Sequence, residues 1–406
     1  MAAVRPNDLA KAEHRTAVRL LTGAQAAAEA MRQIDPDVVA VYPITPQTPI
    51  IETYAKFVAD GRVHTEMLHV ESEHSAMSAA VGSALAGGRT MTATASQGLA
   101  YMIEILYIAA GLRTPVVVAL GNRALSGPIN IHADHSDAML ARDSGAVILF
   151  AENAQEAYDL MVMAPRIAEH PGVMLPVMVG QDGFTITHSA EPVEPLADGA
   201  VRAFVGPYDI PTPLLDTAHP VTMGAFSMPD SYFELRTEVA FANERALAVW
   251  RYVAESFQAL TGRDLGPLEA YRVDGAETVF LTMGSAAGTA KDAVDALRSD
   301  GLPVGLIKLR AFRPFPAALL SASVRPGQTV AVLERALSPG SLPPLATDVR
   351  ALIGGAHDVR SFVFGLGGRD LFAEDLRYVL EACRLPAAEA STTRTHYLGW
   401  GRGGLA

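Results

Sequence analysis

VYPITPQT, residues Val41–Thr48, sets two prolines around an isoleucine and a threonine. Proline fixes φ and lacks an N–H, so the segment is neither the middle of a helix nor an interior strand. The run just before it, Val38–Val41, is apolar and mostly β-branched, and reads as a buried strand. A strand that stops at a rigid, hydroxyl-bearing loop is where open α/β sheets hold ligands, beyond the carboxyl ends of their strands. Thr45 stands at the tip of that loop.

The same alternation continues outward from about Leu20 to Gly180. VVAVYP, TMTATAS, PVVVALG, AVILFA and VMLPVMV read as strands, each flanked by glycine, proline or polar turns. VESEHSAMSAAVGSALAGG and GLAYMIEILYIAAGL, between them, have the length and apolar spacing of helices. Strand–helix alternation predicts a doubly wound, mostly parallel sheet. From Ser189 to Thr222 the chain turns proline-rich and aperiodic, as a linker or extended arm would, and a long helical pattern follows from about Tyr232 to Leu260. A second α/β unit starts near Glu277, where TVFLTMGSAAGTAKDAVDALRSDGLPVGLIKLRAF reads as a compact βαβ; QTVAVLER and VRSFVFGLGG add strands.

Bulk properties narrow the possibilities. A chain of 406 residues is too long for one average core, so two or three domains are expected. The net charge of −12 argues against nucleic acid or an anionic membrane as the main partner. One cysteine, Cys383, excludes a disulfide framework and a cysteine-ligated cluster within the chain. The start, MAAVRPNDLAKAEHRTAVRL, lacks the apolar stretch of a signal peptide, and no run of about 18 apolar residues occurs. A cytoplasmic α/β protein is expected.

Several clusters could carry chemistry. In HVESEHSAM, His69 and His74 are five residues apart rather than at the i, i+4 spacing of a helical zinc site. Glu71 can simply complement a helix dipole. Glu73 enters a helix that is otherwise small and apolar, so its carboxylate is expected to be partly buried and to need a partner, a ligand nitrogen being one candidate. Arg123 leaves the strand PVVVAL into a glycine- and proline-containing loop, well placed to grip a carboxylate. Asp134, His135 and Asp137 either cap the next helix or join in the chemistry. Ser96, Gln97 and Gly98 form a third strand-to-helix turn, where glycine permits close approach and frees N–H groups for an anion. MGSAAGTA and FGLGGRD lack the spacing or the lysine of nucleotide loops and read as turns. Cys383 reads as a small core residue.

Taken in order, AVYPITPQTPIIE, VESEHSAMSAAVGSA, TATASQGLAYM, NRALSGPINIHADHSD, VMLPVMVGQDGF, PVTMG and the βαβ string resemble the α subunit of 2-oxoacid:ferredoxin oxidoreductases, nearest to the pyruvate synthase type. The resemblance spans essentially the full length. It implies thiamine-diphosphate-dependent oxidative decarboxylation of a 2-oxoacid, with electrons passing to iron–sulfur clusters and the acyl group to coenzyme A. It implies a pyrimidine-binding domain over 1–190, an extended linker and long helix over 191–265, and a transketolase C-terminal-like domain over 266–406. Carried over by position, Glu73 matches the glutamate on N1′ of the aminopyrimidine, favouring the tautomer whose 4′-nitrogen takes the thiazolium C2 proton. Thr45 matches a threonine that touches substrate and cofactor, and Arg123 the arginine that binds the substrate carboxylate. Ser96 and Gln97 line up with cofactor-side motifs, Asp134 and His135 with substrate-side ones.

No G-D-G motif with its downstream asparagine occurs in a suitable context, so the diphosphate and its Mg²⁺ are expected on a β subunit. The [4Fe–4S] clusters are expected on γ and ferredoxin-like subunits. The pyruvate-type relatives tend to carry tryptophans where this sequence has Ile129 and His132. If those positions line the acyl pocket, the lost volume suits a larger side chain, such as the aryl group of phenylglyoxylate, as an alternative to pyruvate. The other readings are a two-chain transketolase or dehydrogenase partner and a non-catalytic scaffold subunit, which would need none of Thr45, Glu73 and Arg123.

Overall fold

The computed structural model describes residues 16–210, 212–385 and 395–401; most of the amino-terminal stretch read above for a leader lies outside them. β1 (Arg19–Thr22) runs into α1 (Gly23–Ile34) through a capping box in which Thr22 and Gln25 each accept the other's N–H. Then β2 (Val38–Val41), α2 (Thr48–Ala59), β3 (Glu66–His69), α3 (Glu73–Ala86), β4 (Thr90–Thr94) and α4 (Ser96–Gly111) alternate. β5 (Val116–Asn122), α5 (Ser136–Leu140), β6 (Val147–Phe150), α6 (Ala154–Ala168) and β7 (Val177–Asp182) complete the series. The strand expected over VMLPVMV begins only at Val177, because Pro176 cannot donate to the ladder.

These strands form a parallel sheet in the order β6-β7-β5-β4-β2-β3. The chain moves outward from β2 to β3, then crosses back to β4 on the other side of β2. The crevice between β2 and β4 is therefore the topological switch point, where such sheets bind ligands. α3 packs over these two strands with Ala76, Ala80 and Ala84 buried, side chains small enough to bring the helix close.

The proline-rich stretch is more ordered than its composition suggests. β8 (Ala190–Val193) pairs antiparallel with β1. α7 (Asp198–Val205) buries Val201 and Phe204 in the core formed by α1 and α6. Its i, i+3, i+4 pattern is too short to stand out between prolines. α8 (Tyr232–Thr261) lays Ala246, Trp250, Val253 and Phe257 along the same core at helical spacing and ends at Gly262, φ 75°.

The rest comprises β9 (Leu268–Tyr271), β10 (Thr278–Met283), α9 (Ala286–Ser299), β11 (Val304–Leu309) and β12 (Ala311–Arg313). It continues with α10 (Ala317–Ser323), β13 (Thr329–Glu334), α11 (Pro344–Ile353), β14 (Asp358–Val363), α12 (Ala373–Arg384) and β15 (Thr395–Tyr397). The second sheet has the order β15-β14-β13-β10-β11-β9, parallel except for β9. β12 leaves it and pairs antiparallel with β6, as the seventh strand and edge of the first sheet. One apolar core joins the two sheets, from Met77 and Leu106 through Ile148 and Phe312 to Leu281 and Val332. Cys383 is buried on α12.

Candidate active site

Four strands, β2, β4, β5 and β7, end side by side. Their carboxyl ends release the Thr45 loop, the Ser96 turn, the Arg123 loop and Asp182. Pro46 is buried against Gly121 and Gly183: a Cβ on either glycine would lie 3.3 Å or 2.9 Å from its Cγ. Gln47, buried behind the loop, donates to the carbonyls of Tyr42 and Ala93 at 2.9 and 3.2 Å. The loop is thus held from beneath while Thr45 is exposed at its tip.

Glu73 opens α3 directly above the switch point and is 8% exposed. Its carboxylate has no hydrogen-bond or ion-pair partner among the described residues, an unusual state for a buried acid. Gly98, in the first turn of α4, lies against it. A Cβ there would meet the Glu73 side chain at 2.8–2.9 Å and would collide with Thr94 Oγ1. The glycine expected to expose N–H groups to an anion instead makes room for Glu73, since its own N–H bonds Ala95 O at 2.8 Å. Glu71, by contrast, is exposed and accepts from the Ser75 hydroxyl. With His69 and His74 it forms no metal-ligand cluster among the described residues.

Arg123 is buried, and burial disfavours its charge, an effect that the nearby Asp137 carboxylate opposes. Nε donates to Asn130 O at 3.0 Å and Nη1 to Thr45 O at 2.9 Å. It has no acidic side-chain partner among the described residues, so Nη2 remains free to bind an anion.

Ser96 takes φ +48°, left-handed for a residue with a Cβ. Its N–H donates to Asp137 Oδ2 at 3.0 Å, and its Oγ sits 2.5 Å from Ala124 O and 2.6 Å from Gln97 Oε1. Ser96 therefore braces the neighbouring loop with the groups expected to meet a cofactor. Asp134 and His135, expected on the substrate, are likewise engaged by protein. Asp134 accepts from Ser136 N at 2.8 Å and Gly367 N at 3.3 Å. His135 Nε2 lies 2.6 Å from Asp182 Oδ1, and His135 N donates to Arg335 O at 2.8 Å. Burial works to raise the Asp182 carboxyl, but His135, Arg335 and Ser285 outweigh it and hold it well below the usual carboxylate range.

The two glycine turns of the second sheet also meet this loop. Gly284 precedes Ser285 at Asp182, while Gly367 and Gly368 pack on Asn130 and His132. His132 is exposed, its ring tilted at 4.7 Å from Phe184, which stacks 4.4 Å from His188; Ile129 is 76% exposed.

Residues 29–254 match the family described as pyruvate flavodoxin/ferredoxin oxidoreductase, thiamine diphosphate-binding, and residues 276–376 match pyruvate:ferredoxin oxidoreductase core domain II. Pyruvate synthase subunit PorA of Thermotoga maritima is 52% identical over 364 residues, covering 89% of this chain and 93% of its own length. The chain belongs to the pyruvate:ferredoxin oxidoreductase family. Pyruvate synthase subunit PorA of Methanocaldococcus jannaschii is 44% identical over 89% of this chain and 94% of its own. Ketoisovalerate oxidoreductase subunit VorA of Pyrococcus abyssi is 39% identical over 92% and 97%. A solved 2-oxoglutarate:ferredoxin oxidoreductase from Magnetococcus marinus shares the fold, with TM-score 0.70 at 19% identity over 90% of this chain, which spans 65% of that chain's length.

Within this family fold, the sequence alone missed Gln47 and the packing roles of Gly98 and Asp137. Gln47 has no distinguishing signal within VYPITPQT, and Gly98 reads in TATASQGLAYM as a turn glycine rather than as room for Glu73. Asp137 looked like one of several capping residues, although it alone is wholly buried beneath both loops.

Proposed function

We propose that the chain is the α-type subunit of a 2-oxoacid:ferredoxin oxidoreductase and supplies the aminopyrimidine half of a thiamine diphosphate site completed by another subunit. The observation that carries this reading is Glu73, a buried carboxylate that finds no donor among the described residues, at the switch point of a parallel sheet. A carboxylate so placed asks for a donor on a ligand, and a protonated aminopyrimidine nitrogen fits; Gly98 leaves the space. When bound, thiamine diphosphate supplies the carbon nucleophile and the electron sink for decarboxylation. Glu73 would hold the proton at the ring nitrogen. The free Nη2 of Arg123 would bind the substrate carboxylate, and the exposed Thr45 would contact substrate and cofactor.

The single cysteine leaves no cluster ligands here, so the [4Fe–4S] clusters would lie on γ and ferredoxin-like subunits. The diphosphate with Mg²⁺ would lie on a β subunit, and coenzyme A would take the acyl group. Among the described residues no helix is long and apolar enough to cross a membrane, which agrees with a cytoplasmic complex.

The test is purification with native partners, then assay of a 2-oxoacid panel with coenzyme A and several electron acceptors. Oxidation dependent on both coenzyme A and thiamine diphosphate is expected. Failure to oxidise any 2-oxoacid, or full activity of the E73Q complex, overturns the reading. Pyruvate is the first substrate to assay, since the similar subunits from T. maritima and M. jannaschii are named for it. An aryl 2-oxoacid such as phenylglyoxylate is the second, favoured by Ile129 and His132 in place of tryptophans and by the ring row His132–Phe184–His188 beside the Arg123 loop. A higher kcat/KM for pyruvate than for any aryl 2-oxoacid rejects the second.

A further inference from the structure

Asp137 is fully buried, and the described residues give it no cation as a direct partner. Its carboxylate is satisfied by N–H donors alone. Oδ2 accepts from Ser96 N and Arg123 N, each at 3.0 Å. Oδ1 accepts from Asn122 Nδ2 at 3.0 Å and Ala138 N at 2.7 Å. One oxygen atom thus joins the backbone at the end of β4 to the backbone at the end of β5, at the two residues where each strand releases its loop. The Ser96 N–H reaches this oxygen because Ser96 is left-handed, and its hydroxyl reaches the Arg123 loop at Ala124.

Burying an unpaired carboxylate is unfavourable for the fold, and burial pushes the Asp137 carboxyl up to about 6 against all four hydrogen bonds. A cap for the short helix α5 needs no such charge, and Asn or Ser would serve. An ionised oxygen is needed where two N–H groups must be held by one atom, because charge-assisted bonds are shorter and stronger than neutral ones. We infer that Asp137 is a positioning residue, whose carboxylate fixes the Arg123 backbone against the Ser96 turn and so sets the height of the Arg123 guanidinium over the switch point. The inference rests on the proposed role of Arg123 as the substrate-carboxylate ligand.

The experiment uses the complete complex with D137N, D137S and R123K chains. D137N keeps the shape and leaves one acceptor oxygen for Ser96 N and Arg123 N but removes the charge; Asn122, whose Oδ1 is buried without a partner among the described residues, can turn to meet the new amide. Three readouts are taken: KM and kcat for the 2-oxoacid, the thermal midpoint, and amide hydrogen exchange by mass spectrometry. D137N is expected to raise KM about tenfold, leave the midpoint unchanged or higher, and speed exchange at Ser96 and Arg123 while the interior of β5 keeps its protection. D137S, which also opens a cavity, is expected to show the same KM rise with a lower midpoint. Unchanged KM and unchanged exchange in D137N overturn the inference, as does a KM rise matched by a fall in midpoint and by exchange throughout the sheet. If R123K leaves KM unaltered, the substrate role of Arg123 fails; exchange at Ser96 and Arg123 still decides whether Asp137 holds the two strand ends.

Discussion

Arg123 Nη1 donates to the carbonyl oxygen of Thr45 across 2.9 Å, tying the loop after β5 to the loop after β2. The two residues are 78 positions apart in the chain, and the bond uses one edge of the guanidinium while leaving Nη2 open. The site is therefore a cradle of braced strand ends rather than a set of independent side chains. Ser96 bonds at Ala124, Arg123 bonds at Thr45, and Gln47 holds the Thr45 loop from beneath.

Arg123→Lys should separate charge from geometry. Lysine keeps the charge but cannot donate to Asn130 O, to Thr45 O and to a carboxylate in one plane. The expected outcome is a KM for the 2-oxoacid raised at least tenfold, about 1.4 kcal/mol of lost interaction, with a smaller effect on kcat. Steady-state kinetics of the complex check it, and an unaltered KM rejects the role.

Gly98→Ala should impair Glu73 without touching it. The new Cβ would press on the Glu73 side chain at 2.8–2.9 Å and on the buried Thr94 Oγ1, so Glu73 must move to admit it. Overpacking of this kind costs about 1–3 kcal/mol. Because it displaces the carboxylate, G98A should lower kcat by more than its change in melting temperature suggests, approaching E73Q. Loss of acid–base help is worth about 10²–10⁴-fold, so E73Q should fall by at least about a hundredfold with its circular dichroism unchanged. A fully active G98A enzyme counts against the packing argument, and a fully active E73Q against the site.

Much of this arrangement is legible in the sequence, for physical reasons. Proline at 43 and 46 ends β2 whatever follows, and the run of small residues after Glu73 shows that its carboxylate enters a tight helix. The partners of those residues are not legible, because they arrive through long-range packing. Asp137 and Asn122 differ from other polar residues only in lying under two strand ends. His135 reads equally well as cap or ligand until Asp182 is placed beside it by β7. β12 is three residues long and joins a sheet whose other strands ended about 130 residues earlier, so no local period could announce it.

Glu334 should give the chain a pH-dependent stability. Burial pushes its carboxyl up to about 8, although it accepts from Leu345 N and Ala346 N, each at 2.9 Å, at the start of α11. The native state then holds this proton between about pH 4.5 and 8 while the unfolded chain has lost it. Stability from this group is full below the unfolded value and falls as pH rises through about 8, by a few kcal/mol in all. Denaturant midpoints should therefore decline across that window, and Glu334→Gln should flatten the decline. A wild-type profile that rises across the window, or an E334Q profile of equal slope, rejects the assignment.

Lys308 tests whether the acidic cluster between the two sheets is an ion-pair network. Glu152, Glu156 and Glu269 bring carboxylate oxygens within 4.8 Å of one another, a spacing that could hold a metal. Lys308 is 2% exposed, with Nζ at 2.7 Å from Glu156 and 2.8 Å from Glu269 and also bonded to Glu152. Lys291 and Arg310 bond the same acids, so three cations balance three carboxylates. Removing one partner of a buried pair leaves an uncompensated charge and costs about 3–5 kcal/mol. Lys308→Met should accordingly lower the denaturation midpoint sharply, and adding Glu156→Gln should restore part of the loss, because the two residues share one interaction. Chelators should leave the wild-type midpoint unchanged. Additive effects of the two substitutions, or a midpoint that falls with chelator, would falsify the network and make a bound cation the better account.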